Sequence, residues 1–150
     1  MDDVDRKILR ALQDTPEISI AELALYVGLS HTPCWRRVKL LEASGAIRQR
    51  AVILDPKIMG LGISVFANLR LKAHDEETLE ALERAVCDHV EIVDCFSMSG
   101  ESDYILRILV RDIDEYERFL KKTLVHLPGV AAVNSHFALK CVKNTTKIPM

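Results

Sequence analysis

A chain of 150 residues with 49% hydrophobic content holds enough apolar material for one ordinary core or two small ones, so pattern along the chain decides the domain count. It has no apolar run of 18 residues, and it opens on Asp2, Asp3 and Asp5 where a secretion signal carries basic residues; both features exclude the membrane and export classes and predict a soluble, cytoplasmic protein. The formal net charge of −2 does not suggest nucleic acid, but the charge is unevenly spread.

In chain order, Val4, Ile8 and Leu12 recur at helical spacing with Ala11 beside them, and this first helix stops at Asp14-Thr15-Pro16. Ser19-Ile20-Ala21-Glu22 has the form of a capping box, flanked by Ile18 and Leu23 as a hydrophobic staple. The second helix should run to Val27, where Gly28 can take the positive φ that ends it. Ser30 is placed to cap a third helix, with Pro33 in the first turn, where a missing amide does no harm. Cys34, Val38 and Leu41 form the inward stripe of this helix, so His31, Thr32, Trp35, Arg36 and Lys39 project outward.

Helix, glycine turn and a second helix with a basic, aromatic outer face is the form of a helix-turn-helix reader of DNA. The segment from Ser30 to Arg50 carries five bases, Arg36, Arg37, Lys39, Arg48 and Arg50, against Glu42 alone. Gly45 should end the third helix. Residues 47–54 read as a strand bearing Arg48 and Arg50, a wing closed by Asp55-Pro56 and a hinge reaching Gly60.

Beyond the hinge the period changes from 3.6 to two, with Ile63, Val65, Ala67, Leu69 and Leu71 alternating with Ser64, Phe66, Asn68, Arg70 and Lys72. Leu79, Leu82 and Val86 return to helical spacing, a strand is predicted over 91–98, and Tyr104, Leu106, Ile108 and Val110 alternate again. Ser99 to Ser102 makes the tight connection between those two strands. Asp112 should cap a helix presenting Ile113, Tyr116 and Leu120, Pro128-Gly129 breaks the chain, and Val133, Ser135, Phe137, Leu139 and Cys141 give a last strand. The order β-α-β-β-α-β is the ferredoxin-like split βαβ arrangement, an antiparallel sheet with both helices on one face. Ile105 and Leu109 make the other face apolar too, which predicts at least a homodimer. The fold class is therefore α+β: a winged three-helix domain over 1–52, a hinge over 53–60, and a ferredoxin-like domain suited to oligomerisation over 61–150.

Two sets of residues carry a family likeness: Leu29-Ser30, Arg37-Val38, Leu41-Glu42 and Gly45-Ala46-Ile47, then Gly100-Glu101-Ser102-Asp103-Tyr104 and Leu127-Pro128-Gly129-Val130. The chain resembles the Lrp/AsnC, or feast/famine, family of transcriptional regulators over nearly its whole length, from Asp5-Arg6-Lys7-Ile8-Leu9 to Thr145-Thr146-Lys147-Ile148-Pro149. Ala46 and Ser99 depart from the usual valine and threonine without breaking the pattern. The resemblance implies dimers formed through an ACT-like (RAM) ferredoxin-like domain, often assembled to octamers, with an amino-acid effector held between dimers near the Gly-x-x-Asp-Tyr loop. The strings Thr32-Pro33-Cys34-Trp35 and Thr145-Thr146 are similar to a branch with cysteine-responsive members, so leucine, cysteine or another small amino acid is the expected effector.

On this reading Ser30, His31, Thr32, Trp35, Arg36, Arg37, Lys39, Arg48 and Arg50 form the DNA interface. The bases mainly neutralise phosphate, while His31, Thr32, Trp35 and Arg36 can reach base edges. Trp35 packing as core, and an internal ion pair of Arg37 with Glu42 or Asp5, are the competing roles. For the effector, Ser99, Gly100, Glu101, Ser102, Asp103 and Tyr104 offer backbone amides to a carboxylate and Asp103 to an ammonium; the competing reading is a tight hairpin whose aspartate caps backbone. No metal or cofactor is expected: Cys34, Cys87, Cys95 and Cys141 lack paired ligand spacing and read as reduced thiols, and the five histidines are scattered. No nucleophile motif argues for an enzyme. A nucleoid-organising protein with little sequence preference, and an amino-acid-sensing domain serving a separate enzyme, are the alternative functions.

Overall fold

The computed structural model describes residues 1–150. The chain divides into two compact units, Met1–Ile53 with Lys143–Met150, and Leu54–Val142. The closing eight residues thus group with the helical unit.

The helical unit contains α1 (Asp3–Asp14), α2 (Ile20–Val27) and α3 (His31–Ala43). Asp2 caps α1 in a reciprocal box with Asp5, each side chain accepting from the other's amide. Ser19 and Glu22 do the same for α2, at 3.0 and 3.2 Å. Gly28, at φ 73°, closes α2 in the left-handed conformation, and the Leu29 amide returns to the Ala24 carbonyl. Ile8, Leu9 and Ala11 of α1, Leu23 and Ala24 of α2, and Cys34, Val38 and Leu41 of α3 make the core, with Ile18 and Leu29 packed on it. Two local expectations fail. Ser30 occupies the cap position of α3 with extended backbone, but its hydroxyl makes no cap hydrogen bond. The wing strand over 47–54 is not formed: apart from Ile47, whose amide returns to Leu41, these residues make no backbone hydrogen bonds, because no strand of the chain lies beside them.

The second unit holds β1 (Ile63–Leu71), α4 (Glu76–Cys87), β2 (Ile92–Ser97), β3 (Tyr104–Val110), α5 (Ile113–Lys122), a short 3-10 turn (Leu124–His126) and β4 (Val130–Phe137). The sheet runs β2-β3-β1-β4 and every neighbour is antiparallel, the ferredoxin-like order. Strand alternation sends Val65, Ala67, Leu69 and Leu71 of β1, with Tyr104, Leu106, Ile108 and Val110 of β3, toward Leu82 and Val86 of α4 and Tyr116 and Phe119 of α5. Ile113 is 62% exposed, so Phe119 takes the inward place expected of it. β4 ends at Phe137, whose ring packs edge-on against Tyr116; Leu139 and Cys141 lie beyond the strand, fully or largely exposed. Gly129, at φ 72°, passes so close to α4 that a Cβ there would stand 2.2 Å from the Thr78 methyl. No helix is long and apolar enough to cross a membrane.

Candidate nucleic-acid interface and ligand cleft

The outer face of α3 follows from its inner one. With Cys34, Val38 and Leu41 buried, helical spacing turns His31, Thr32, Trp35, Arg36, Lys39 and Leu40 outward, and all six are exposed. Trp35 is 46% exposed, so its ring is not part of the core. Polar partners divide the bases. Arg37 is tied at 2.7 Å to both Asp2 and Asp5, which binds the start of α1 to α3. Those hydrogen bonds, Asp5 first and Asp2 second, hold the guanidinium above its ordinary pKa. The Asp2 carboxyl is correspondingly lowered, by the Asp5 amide first and Arg37 second. Lys39 and Arg50 lean on Glu42, at 2.7 and 3.9 Å, and the hydrogen bond from Lys39 leads in lowering the Glu42 pKa. Arg36 and Arg48 are exposed and make no ion pair. Of the expected DNA residues, Arg37 is the one held by two carboxylates at the start of another helix, including the ion pair with Asp5 that was its competing role.

In the second unit a cleft of about 480 Å³ opens on the sheet face away from the helices, lined by Asn68, Arg70, Glu101, Ser102, Ala132 and Asn134. Antiparallel register assembles it, setting Asn68 opposite Asn134 and Arg70 opposite Ala132. Glu101 and Ser102 come from the β2–β3 loop, where Gly100 adopts φ 117°. The loop is fastened by its aspartate: the Asp103 carboxylate accepts the Leu71 amide at 2.7 Å and meets His74 Nε2 at 2.7 Å, while the Asp103 amide donates to Leu69. The Leu71 amide, then His74, holds the Asp103 carboxyl below the usual carboxylate range.

The expected effector residues separate accordingly. Glu101 and Ser102 line the cleft, while Ser99 and Gly100 lie in the exposed turn beside them. Asp103 is committed to the end of β1, so it secures the loop instead of standing free for an ammonium. Tyr104 does not line the cleft. As the first residue of β3 it alternates onto the helix side, is buried, and donates its hydroxyl to Glu83 at 2.8 Å; burial first, then Glu83, pushes its pKa up to about 12. Asn68, Arg70, Ala132 and Asn134 join the cleft through strand register, which local sequence does not reveal. No group of three or more His, Cys, Asp or Glu side chains could hold a metal ion.

Comparison with known proteins fits both halves. Residues 1–48 match the winged helix-turn-helix DNA-binding model, and residues 64–148 match the Lrp/AsnC ligand binding domain. The DNA-binding transcriptional activator DecR of Escherichia coli is 35% identical over 150 residues, covering all of this chain and 99% of the relative. An AsnC family transcriptional regulator from Agrobacterium tumefaciens superposes with a TM-score of 0.92 at 41% identity, over 99% of this chain and 97% of that one. A Neisseria meningitidis transcriptional regulator solved as a complex with L-Met gives the same TM-score of 0.92 at 35% identity, over 99% and 96%. With a reading helix bare on its outer side, a ligand-binding domain in the order the sequence predicts, and relatives alike along their whole length, the chain belongs to the Lrp/AsnC family of DNA-binding transcriptional regulators.

Proposed function

We propose that α3 enters the major groove, that His31, Thr32, Trp35 and Arg36 meet base edges there, and that Lys39, Arg48 and Arg50 follow the phosphates with Ser30 at the helix start. The observation that carries this reading is the outer face of α3: every side chain on it is exposed, and Arg36 has no acidic partner. Arg48 and Arg50 lie on a segment without regular secondary structure just after α3, and their part in this reading is to meet phosphates.

The cleft is the effector site. A free amino acid needs a cation for its carboxylate and an acceptor for its ammonium, and Arg70 and Glu101 supply the two. Ser102, Asn68 and Asn134 are left to read the remaining polar atoms. The volume suits a small amino acid. Leucine and cysteine are joined as candidates by methionine, the ligand of the Neisseria neighbour. The protein binds this molecule as a signal and does not transform it. Cross-strand pairs place Phe66, Phe96, Ile105 and Leu109 on the same open sheet face as the cleft, an apolar surface suited to a homodimer and, through further contacts, an octamer.

Thermal unfolding of the full chain against each of the twenty amino acids tests the site. One or a few should raise the melting point, by about 2.7 kcal/mol of stabilisation at a hundredfold excess over Kd. The shift should vanish in Arg70→Ala and Glu101→Ala. A shift that survives both substitutions overturns the assignment.

A further inference from the structure

Alternation along the last-paired strands puts Phe66, Asn68 and Arg70 of β1 and Ala132, Asn134 and His136 of β4 on the open face of the sheet. Register sets Phe66 opposite His136 and Asn68 opposite Asn134, so His136 lies one diagonal step from Asn68. The imidazole spans that step: Asn68 Nδ2 stands 3.3 Å from His136 Nδ1. A carboxamide nitrogen donates and does not accept, so the contact requires Nδ1 to be without a proton, the neutral ring carrying its hydrogen on Nε2. It also fixes which way the amide faces. With Nδ2 held by His136, the oxygen Oδ1 is turned away from the ring and has no partner within the chain, and Asn68 is one of the residues that line the cleft.

In a free amino acid the carboxylate oxygens only accept and the ammonium only donates, so a carbonyl oxygen lining the cleft has the ammonium as its one use. We propose, resting on the reading of the cleft as an amino-acid site, that His136 is a positioning residue: it holds the Asn68 amide with Oδ1 toward the ammonium, and protonation of its imidazole reverses that amide and weakens binding. A protonated ring donates from both nitrogens, and the only atom of Asn68 that accepts is its oxygen. The amide therefore turns over, the ammonium meets Nδ2 in place of Oδ1, and a new positive charge stands nearby. His136 is exposed on an edge strand, so solvent protons reach it. β4 adjoins only β1 in the sheet, and the charged groups sharing the open face are Arg70 of β1, the paired Arg107 and Asp94 beyond it, and Glu101 of the β2–β3 loop. The 3-10 turn and α5 meet β4 from the other side, through Leu124 and through Tyr116 against Ser135. Guanidinium and carboxylate groups hold their charge between about pH 5.5 and about pH 8, the interval in which imidazole changes its own.

Calorimetric titration of the full chain with each of the twenty amino acids, at about pH 8 and at about pH 5.5, tests this. An amino acid that binds at the higher pH should bind about fivefold more weakly at the lower one, the scale of one lost hydrogen bond. His136→Ala should erase the difference between the two conditions. His136→Asn, whose carbonyl oxygen accepts in place of Nδ1 and does not titrate, should keep the parent's higher-pH affinity in both. His74→Ala removes the other imidazole tied to the loop, the one that meets Asp103, and should leave the difference intact. Equal affinity of the parent at both pH values, or a difference that persists in His136→Ala, would overturn the role of His136 and leave the cleft reading standing. No binding by any amino acid, or binding that survives Arg70→Ala, would overturn both.

Discussion

At the scale of single residues, the β2–β3 loop depends on one carboxylate. Asp103 joins the β2–β3 loop to the end of β1 through the Leu71 amide, and that amide, helped by His74, depresses its pKa. A carboxyl whose folded pKa lies below its unfolded value adds stability above the unfolded value, about 4, and loses it as pH falls through the folded one. Asp103→Asn keeps an acceptor for Leu71 but not the charge. Its melting point should therefore lie below the parent's at pH 7, and the gap should close as the pH is taken below about 4; a gap independent of pH would remove the charge from the explanation. The sequence offers Asp103 two roles, an acceptor for an ammonium or a cap on the backbone of its own hairpin, and the backbone it meets is instead that of β1. The Leu71 amide that claims it lies 32 residues away, and nothing local announces it.

At the scale of elements, caps that look alike in the sequence differ in what they do. Ser19 and Glu22 complete a reciprocal box at the start of α2, whereas Ser30 makes no side-chain bond at the start of α3. Ser19→Ala should lower stability by roughly 0.5–2 kcal/mol, and Ser30→Ala by much less, as read by urea unfolding. Equal losses would mean that the Ser30 hydroxyl caps α3 in solution. The helices were legible because capping, periodicity and glycine stops all act within a few residues. Strand positions in the second unit were legible for the same reason, through their alternation. Two things were not. The predicted wing over 47–54 has the composition of a strand, but a strand exists only where a partner accepts its hydrogen bonds. The cleft depends on the register between β1 and β4, which is set by packing far along the chain and brings Arg70 and Asn134 to a loop they do not adjoin in sequence.

For the molecule as a whole, adjacent arginines have opposite assignments. Arg36 is free on the outer face of α3, while Arg37 fastens α3 to the start of α1. Arg36→Ala should weaken DNA binding and reduce the slope of log affinity against log salt by about 1, with the melting point unchanged. Arg37→Ala should instead lower the melting point, because it strips Asp2 and Asp5 of their shared partner. Fluorescence titrations with duplex at several salt concentrations, alongside thermal unfolding, distinguish the two; the reverse pattern would move the groove-facing side of α3 by one residue.

The open sheet face carries one more feature with reach beyond a single copy. Arg107 and Asp94 lie paired at 2.6 Å among Phe66, Phe96 and Ile105. An assembly that covered this face would strip water from both charges, so a purely greasy surface would be a poor mate and a second copy, able to meet guanidinium and carboxylate with groups of its own, a good one. Replacing the pair with matched apolar side chains would leave this face sticky but less choosy about what it adheres to.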